Sequence, residues 1–87
     1  MSEMDRLRAA IDSNDRAIVD AVNTRLRLVA ELWQVKRALQ VGRLDPGREQ
    51  ALRETLAAAN RGPLSQAGLE RLVDELLALT KAELNDA

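Results

Sequence analysis

The sequence predicts an all-α protein of three helices, with one long N-terminal helix, that forms an intertwined helical homodimer. Three observations predict this fold. Apolar residues recur at helical spacing along most of the chain. Two stretches, "GRLDP" and "NRGPLS", interrupt that pattern. The first helical segment is also much longer than the two that follow.

The first predicted helix extends from about Glu3 to Val41. This segment contains neither Pro nor Gly, and its apolar residues lie three, four or seven positions apart. Gly42 is predicted to end the helix, because Gly is common just beyond helix C-termini. The residues of the apolar stripe are Leu7, Ile11, Ile18, Val22, Val29, Leu32 and Leu39.

The other two helices have recognisable starts. Asp45 is a natural N-cap with Pro46 at the first helical position, which predicts a second helix from about Pro46 to Ala59. After "NRGPLS", Ser65 can cap a third helix that ends near Leu84. Its apolar residues are Leu69, Leu72, Val73, Leu76, Leu77 and Leu79.

Helix length predicts the homodimer. At about 1.5 Å per residue, the first helix is roughly 57 Å long and the third roughly 30 Å. About half of the long apolar stripe therefore has no partner within the chain. Because apolar burial is the main favourable term in folding, two long helices are expected to pack on each other.

The composition predicts one small domain, residues 1–87, and excludes several functions. The net charge of −1 gives no positive field for nucleic acid. The absence of His and Cys removes imidazole catalysis, thiol nucleophiles, disulfides and the usual zinc sites, so neither metal nor cofactor is expected. No run approaches the roughly 20 apolar residues of a membrane span, and the charged N-terminus suggests a cytoplasmic protein without membrane contact.

Two cations of the first helix lie within its apolar stripe. Arg25 and Lys36 are eleven residues apart, so they point in nearly the same direction along a line of roughly 16 Å. Their stems could cover apolar surface while the heads reach water or a neighbouring Glu. Alternatively, a ligand that carries carboxylates could be the anion that cations in a core require.

Other charged groups allow two interpretations each. Arg8 lies about 100° from Arg25 around the helix, so it cannot readily face the same pocket within one subunit. It could reach the pocket of a partner subunit in a dimer, or it could simply be exposed to solvent. Asp45, Arg48 and Glu49 cluster at the start of the second helix. There they could serve a ligand, or merely cap the helix, with Glu49 paired to Arg53 one turn on.

The ordered set of these features resembles the all-helical chorismate mutases of the AroQ class. The set comprises "LR" at Leu7 and Arg8, "IDSND" one turn on, Arg25, Lys36, "DPGRE" opening the second helix and "GPLS" opening the third. The resemblance extends from about Met4 to Glu83. It implies the intertwined three-helix dimer that helix length also predicts.

The resemblance implies a role for each matching residue. Arg25 would bind one substrate carboxylate, and Arg8 of the partner subunit the other. Lys36 would contact the ether oxygen whose bond breaks. Asp45 and Glu49 would orient the ring hydroxyl, and Arg48 would shape that end of the pocket. Thr80 would lie near the ring carboxylate. Lys36, Arg25 and Glu49 would be the catalytic residues.

One position departs from the family pattern. The family usually carries Gln, or sometimes Glu, one turn beyond the position of Thr80, where it assists Lys36. Leu84 occupies that place here, and Glu83 is the nearest polar candidate, about 100° around the helix. Either Glu83 enters the site or the second donor is missing.

The expected function is that of an isomerase of aromatic amino-acid biosynthesis, part of the shikimate pathway, which converts chorismate, a small dicarboxylate, to prephenate. Two alternatives remain. The same fold could act as a mutase or lyase on 4-amino-4-deoxychorismate or isochorismate. The chain could instead be a non-catalytic helical dimer that partners a shikimate-pathway enzyme.

Overall fold

The computed structural model describes residues 2–42 and 45–84 and consists of three α-helices. They are α1 (Glu3–Ala38), α2 (Pro46–Ala59) and α3 (Gln66–Leu84). The described residues contain no β-strand. The predicted all-α class and the predicted bounds of the second and third helices are therefore confirmed. The part of the "GRLDP" connection at positions 43 and 44 lies outside the described residues.

The start of α1 is fixed by a capping box. The N–H of Asp5 donates to Ser2 Oγ at 3.1 Å, and the N–H of Ser2 donates to Asp5 Oδ2 at 3.4 Å. Two otherwise unpaired backbone donors are thereby satisfied, which explains why the helix begins at Glu3.

The prediction that Gly42 ends the first helix is wrong, because α1 ends earlier. The N–H of Gln40 donates to the carbonyl of Arg37 at 3.1 Å, and that of Val41 to the carbonyl of Lys36 at 2.9 Å. This pair of bonds closes the helix with Gln40 in the left-handed region, at φ 60°. The position that usually carries Gly is therefore occupied by Gln40.

The starts of α2 and α3 agree with the predicted caps. Asp45 Oδ1 accepts the N–H of Arg48 at 3.0 Å, and Ser65 Oγ accepts the N–H of Gly68 at 3.0 Å. Between the two helices the chain turns at Gly62, whose φ of 76° favours a residue without Cβ.

The third helix lies at the centre of the packing, because both α1 and α2 pack against it. Its Leu69, Val73 and Thr80 are the buried residues of the described chain. Arg53 of α2 is also tied to α3, at 2.6 Å from Asp74. That hydrogen bond, despite some desolvation, raises the pKa of the Arg53 guanidinium.

The N-terminal half of α1 has no partner within the described chain. Every residue from 2 to 21 is exposed, and α1 as a whole contains no buried residue. Its apolar stripe remains open, with Leu7 48%, Ile11 57% and Ile18 54% exposed. The longest dimension of the molecule, 57 Å, reflects this projecting helix. No described helix is long and apolar enough to cross a membrane.

Candidate active site

A cavity of about 540 Å³ lies between the C-terminal half of α1, the start of α2 and the C-terminal half of α3. Its walls combine apolar residues with charged ones, a composition typical of small-molecule sites. The residues that line it are Arg25, Leu28, Val29, Leu32, Trp33, Lys36, Asp45, Arg48, Glu49, Leu52, Leu77, Thr80 and Lys81.

Helix α1 supplies two cations to this cavity. Arg25 and Lys36 both line it, as their position within the apolar stripe predicts, and both are half-buried. Apolar residues Val29 and Leu32 lie between them along the same wall. Two cations in an apolar wall strengthen any interaction with an anion placed there, because water screens the charges less.

Thr80 orients the guanidinium of Arg25. Arg25 Nη1 donates a hydrogen bond to Thr80 Oγ1, and the Thr80 hydroxyl donates to the carbonyl of Leu76 at 2.7 Å. Thr80 is only 6% exposed, so its rotamer is fixed by packing as well as by hydrogen bonds. The hydroxyl thus couples α3 to α1 and leaves the other nitrogens of the guanidinium available for a carboxylate.

The start of α2 supplies two carboxylates and a third cation. Asp45, as N-cap, brings Arg48 and Glu49 to the same edge of the cavity. The alternative interpretation, in which Glu49 pairs with Arg53, is not the arrangement in the structure. Arg53 is instead engaged with Asp74 across the α2 and α3 contact, where the two groups lie 2.6 Å apart.

The charges that line the cavity favour an anion. Four cations and two carboxylates contribute a surplus of positive charge, which suits a ligand with two carboxylates. The described residues contain no group of three or more His, Cys, Asp or Glu that could hold a metal ion. The chain has no His or Cys, and the lining cations are suited to binding an anion and to stabilising negative charge.

The structure brings together six of the eight residues that the sequence proposes for the site: Arg25, Lys36, Asp45, Arg48, Glu49 and Thr80. Arg8 lies outside the cavity of its own chain, about 25 Å along α1 from Arg25. Glu83 is exposed and also lies outside it, and Leu84 is half-buried without lining it. Neither residue at the end of α3 therefore adds a polar group to this cavity.

Sequence reasoning missed two prominent residues of the cavity, Trp33 and Lys81. A signal for each was present. Trp33 lies about 60° from the centre of the apolar stripe of α1, at its edge. Lys81 follows Leu77 by four residues, and side chains at that spacing lie on one face of a helix.

Comparisons with known proteins all find similarity to chorismate mutases or to a related mutase. A family model described as chorismate mutase type II matches residues 7–84. A curated relative, the 4-amino-4-deoxychorismate mutase of Streptomyces pristinaespiralis, is 35% identical over 79 residues. That match covers 88% of this chain, but the chain spans only 60% of the relative's length.

Two solved structures of the chorismate mutase from Thermus thermophilus are similar to this fold. Form I superposes with a TM-score of 0.86 at 28% identity and covers 91% of this chain and 99% of its own. Form II gives 0.88 at 27% identity, with coverages of 99% and 100%. The arrangement of three helices is therefore shared along nearly the whole length of both proteins.

Proposed function

Because the chain belongs to the chorismate mutase type II family, we propose that it is an isomerase that converts chorismate to prephenate in aromatic amino-acid biosynthesis. One observation carries the proposal. A single cavity brings the cations of α1 together with the Asp45 and Glu49 carboxylates of α2, in a chain without His or Cys. This set suits a small dicarboxylate whose reaction needs no nucleophile.

The proposed reaction is an intramolecular rearrangement. The C–O bond of the ether breaks while a C–C bond forms, so no covalent intermediate with the protein arises and no proton is transferred. The protein has two tasks. It holds the dianion in a compact reactive shape, and it stabilises the negative charge that develops on the ether oxygen.

The lining residues are suited to these tasks. Arg25, oriented by its hydrogen bond to Thr80, can grip one carboxylate in a bidentate fork. Lys36 offers a compact charge for the ether oxygen. We assign the ring hydroxyl to Asp45 and Glu49, which line the opposite edge of the cavity together with Arg48.

The proposed active form is an intertwined homodimer. The exposed apolar stripe of the N-terminal half of α1, which includes Leu7 and Ile11, supports this proposal because it lacks a partner within the described chain. Arg8 lies on the same half-helix, outside its own cavity. In the dimer, Arg8 would enter the cavity of the second chain and bind the other substrate carboxylate. Glu83 keeps a proposed role only if pairing of the chains moves it inward.

The direct test follows the loss of the ultraviolet absorbance of chorismate in the presence of the purified protein. Prephenate should form at a rate proportional to protein concentration. Arg25→Ala should abolish most of that activity, whereas Arg27→Ala, which alters an exposed Arg two residues away, should retain it. No turnover by the natural protein would contradict the proposal.

A second substrate is favoured by the curated relative, which is named as a 4-amino-4-deoxychorismate mutase. Asp45 and Glu49 could pair with an ammonium group as readily as they accept a hydrogen bond from a hydroxyl. Measuring kcat/KM for both substrates under the same conditions decides between them. A ratio above about tenfold in either direction identifies the preferred substrate, since each 1.4 kcal/mol corresponds to about tenfold.

A further inference from the structure

Lys81 is a cation of the cavity for which the proposed mechanism has no role. It lies on the face of α3 that carries Leu77 and Thr80, about 40° from Leu77 around the helix axis. All three residues line the cavity. Its ammonium group therefore belongs to the same wall that holds Arg25 in place through Thr80.

The surroundings of Lys81 differ from those of the two cations that α1 supplies to the cavity. Lys81 is exposed, whereas Arg25 and Lys36 are half-buried, so Lys81 lies at the open side of the cavity. Its ammonium group forms neither a hydrogen bond nor an ion pair with any described residue. An ammonium group without such contacts on the rim of a site can bind an incoming anion without first breaking another interaction.

The cavity is also polarised. The walls that α1 and α3 form carry Arg25, Lys36 and Lys81 and no carboxylate. The α2 side carries two carboxylates, Asp45 and Glu49, with one cation, Arg48. A ligand with two carboxylates is therefore oriented with its anionic groups towards α1 and α3. A carboxylate at the open side of this wall comes within reach of the flexible Lys81 stem.

We propose that Lys81 is a substrate-binding residue that pairs with a carboxylate at the open side of the cavity; this role rests on the proposed function. The carboxylate is charged both before and during the reaction, so the ion pair stabilises bound substrate and transition state alike. Loss of the pair should therefore raise KM and leave kcat nearly unchanged. Within one chain Lys81 is more exposed than Lys36, and stabilising a developing charge favours the drier of these two environments.

The experiment compares Lys81→Gln and Lys81→Arg with Arg71→Gln. Arg71 is an exposed cation of the same helix that does not line the cavity, so its substitution removes the same charge at a distance. Lys81→Gln should raise KM for chorismate about tenfold, with kcat within about threefold of the natural value. Lys81→Arg and Arg71→Gln should each keep KM within about threefold of the natural value.

Two kinetic results would overturn the proposal. If Lys81→Gln left KM unchanged, or raised it no more than Arg71→Gln does, Lys81 would not contact the substrate. If kcat fell about tenfold or more with KM unchanged, the contact would be with the reacting ether oxygen instead of a carboxylate. Circular dichroism of each variant verifies that the helices are intact.

A binding measurement separates this proposal from the proposed activity. Trp33 is the sole Trp of the sequence and lines the cavity, so its fluorescence can report the binding of prephenate without turnover. Lys81→Gln should weaken prephenate binding about tenfold. Turnover of chorismate with unchanged prephenate affinity would refute the role of Lys81 alone. A natural protein that neither turns over chorismate nor binds prephenate would refute both proposals.

Discussion

The two halves of α1 have the same amphipathic pattern but very different surroundings. In the first half, Leu7 and Ile11 are 48% and 57% exposed, and no described residue covers them. In the second half, Val22 and Val29 are half-buried on either side of Arg25, which donates a hydrogen bond to Thr80 of α3. Towards the end of the helix, Leu32 and Leu39 are again 47% and 69% exposed. The apolar stripe predicts that this face of α1 is buried, but it does not say by what. The greater length of α1 relative to α3 is what predicts a partner from outside the chain.

The charged residues of α1 follow the same division. Arg25 and Lys36 of the second half line the cavity, whereas Arg8 of the first half does not. If the proposed dimer forms, each site contains the second half of α1 from one chain and the first half from the other. The three predictions below test this division, from the largest expected effect to the smallest.

The largest effect is expected in the second half of α1. Lys36→Ala should lower kcat by about 10²–10³, because it removes a preorganised donor from the reacting oxygen. The helix should remain folded, since Lys36 is only half-buried and Ala favours helix. Arg37→Ala is the matched control, because Arg37 is exposed and lies outside the cavity. Chorismate turnover and circular dichroism of both variants check these outcomes.

Mixing variants extends this prediction to the first half. Arg8→Ala and Lys36→Ala homodimers should both be nearly inactive, but a mixed dimer contains one site in which both residues are natural. Unfolding and refolding the two proteins together at equal concentrations should restore about a quarter of the natural activity, because about half of the dimers are mixed. No recovery, with mixed dimers demonstrated by mass spectrometry, would place both residues in the same subunit's site.

The second prediction concerns dimer formation. Ile11→Asp should weaken self-association by about 100-fold or more, because it would place an unpaired carboxylate in an apolar interface. Ala9→Asp is the matched control, since Ala9 lies on the opposite face of α1, about 160° from Ile11. Sedimentation velocity over a range of concentrations measures both. Equal dissociation of the two variants, or a natural protein that is a stable monomer at micromolar concentration, would contradict the proposed interface.

Most of the fold follows from local sequence signals. Asp45 with Pro46, and Ser65 three residues before Gly68, define the starts of α2 and α3 because capping depends on neighbouring residues alone. The site is less accessible to such reasoning. The pairing of Arg25 with Thr80 joins residues 55 positions apart, and no periodic pattern specifies which face of α3 meets α1.

There is also a physical reason why sequence reasoning missed some residues of the cavity. Lys81 precedes the end of a helix, where a cation is ordinarily explained by the helix dipole and by solvent. Its place in the cavity depends on how α3 is rotated against α1, which the apolar pattern of α3 fixes only approximately. Conversely, only the resemblance suggests Glu83 as a site residue, and the packing within one chain leaves it exposed.

The smallest effect is expected at the end of α1, just beyond Lys36. Gln40 is held at φ 60° by the two hydrogen bonds that close the helix. A side chain in this region costs roughly 1 kcal/mol relative to Gly. Gly gains about 0.4–1 kcal/mol of freedom in the unfolded chain, so Gln40→Gly should raise the free energy of unfolding by at most about 0.6 kcal/mol.

Gly42 supplies the matched control for that substitution. A Cβ built on Gly42 meets no atom within 4 Å, and its φ lies outside the left-handed region. Gly42→Ala should therefore be neutral or stabilising by about 0.4–1 kcal/mol, the opposite of what a helix-ending Gly would give. Urea unfolding of both variants at a fixed protein concentration checks the pair. If Gly42→Ala lowered the free energy of unfolding and Gln40→Gly did not raise it, α1 would continue beyond Ala38 and end at Gly42 instead.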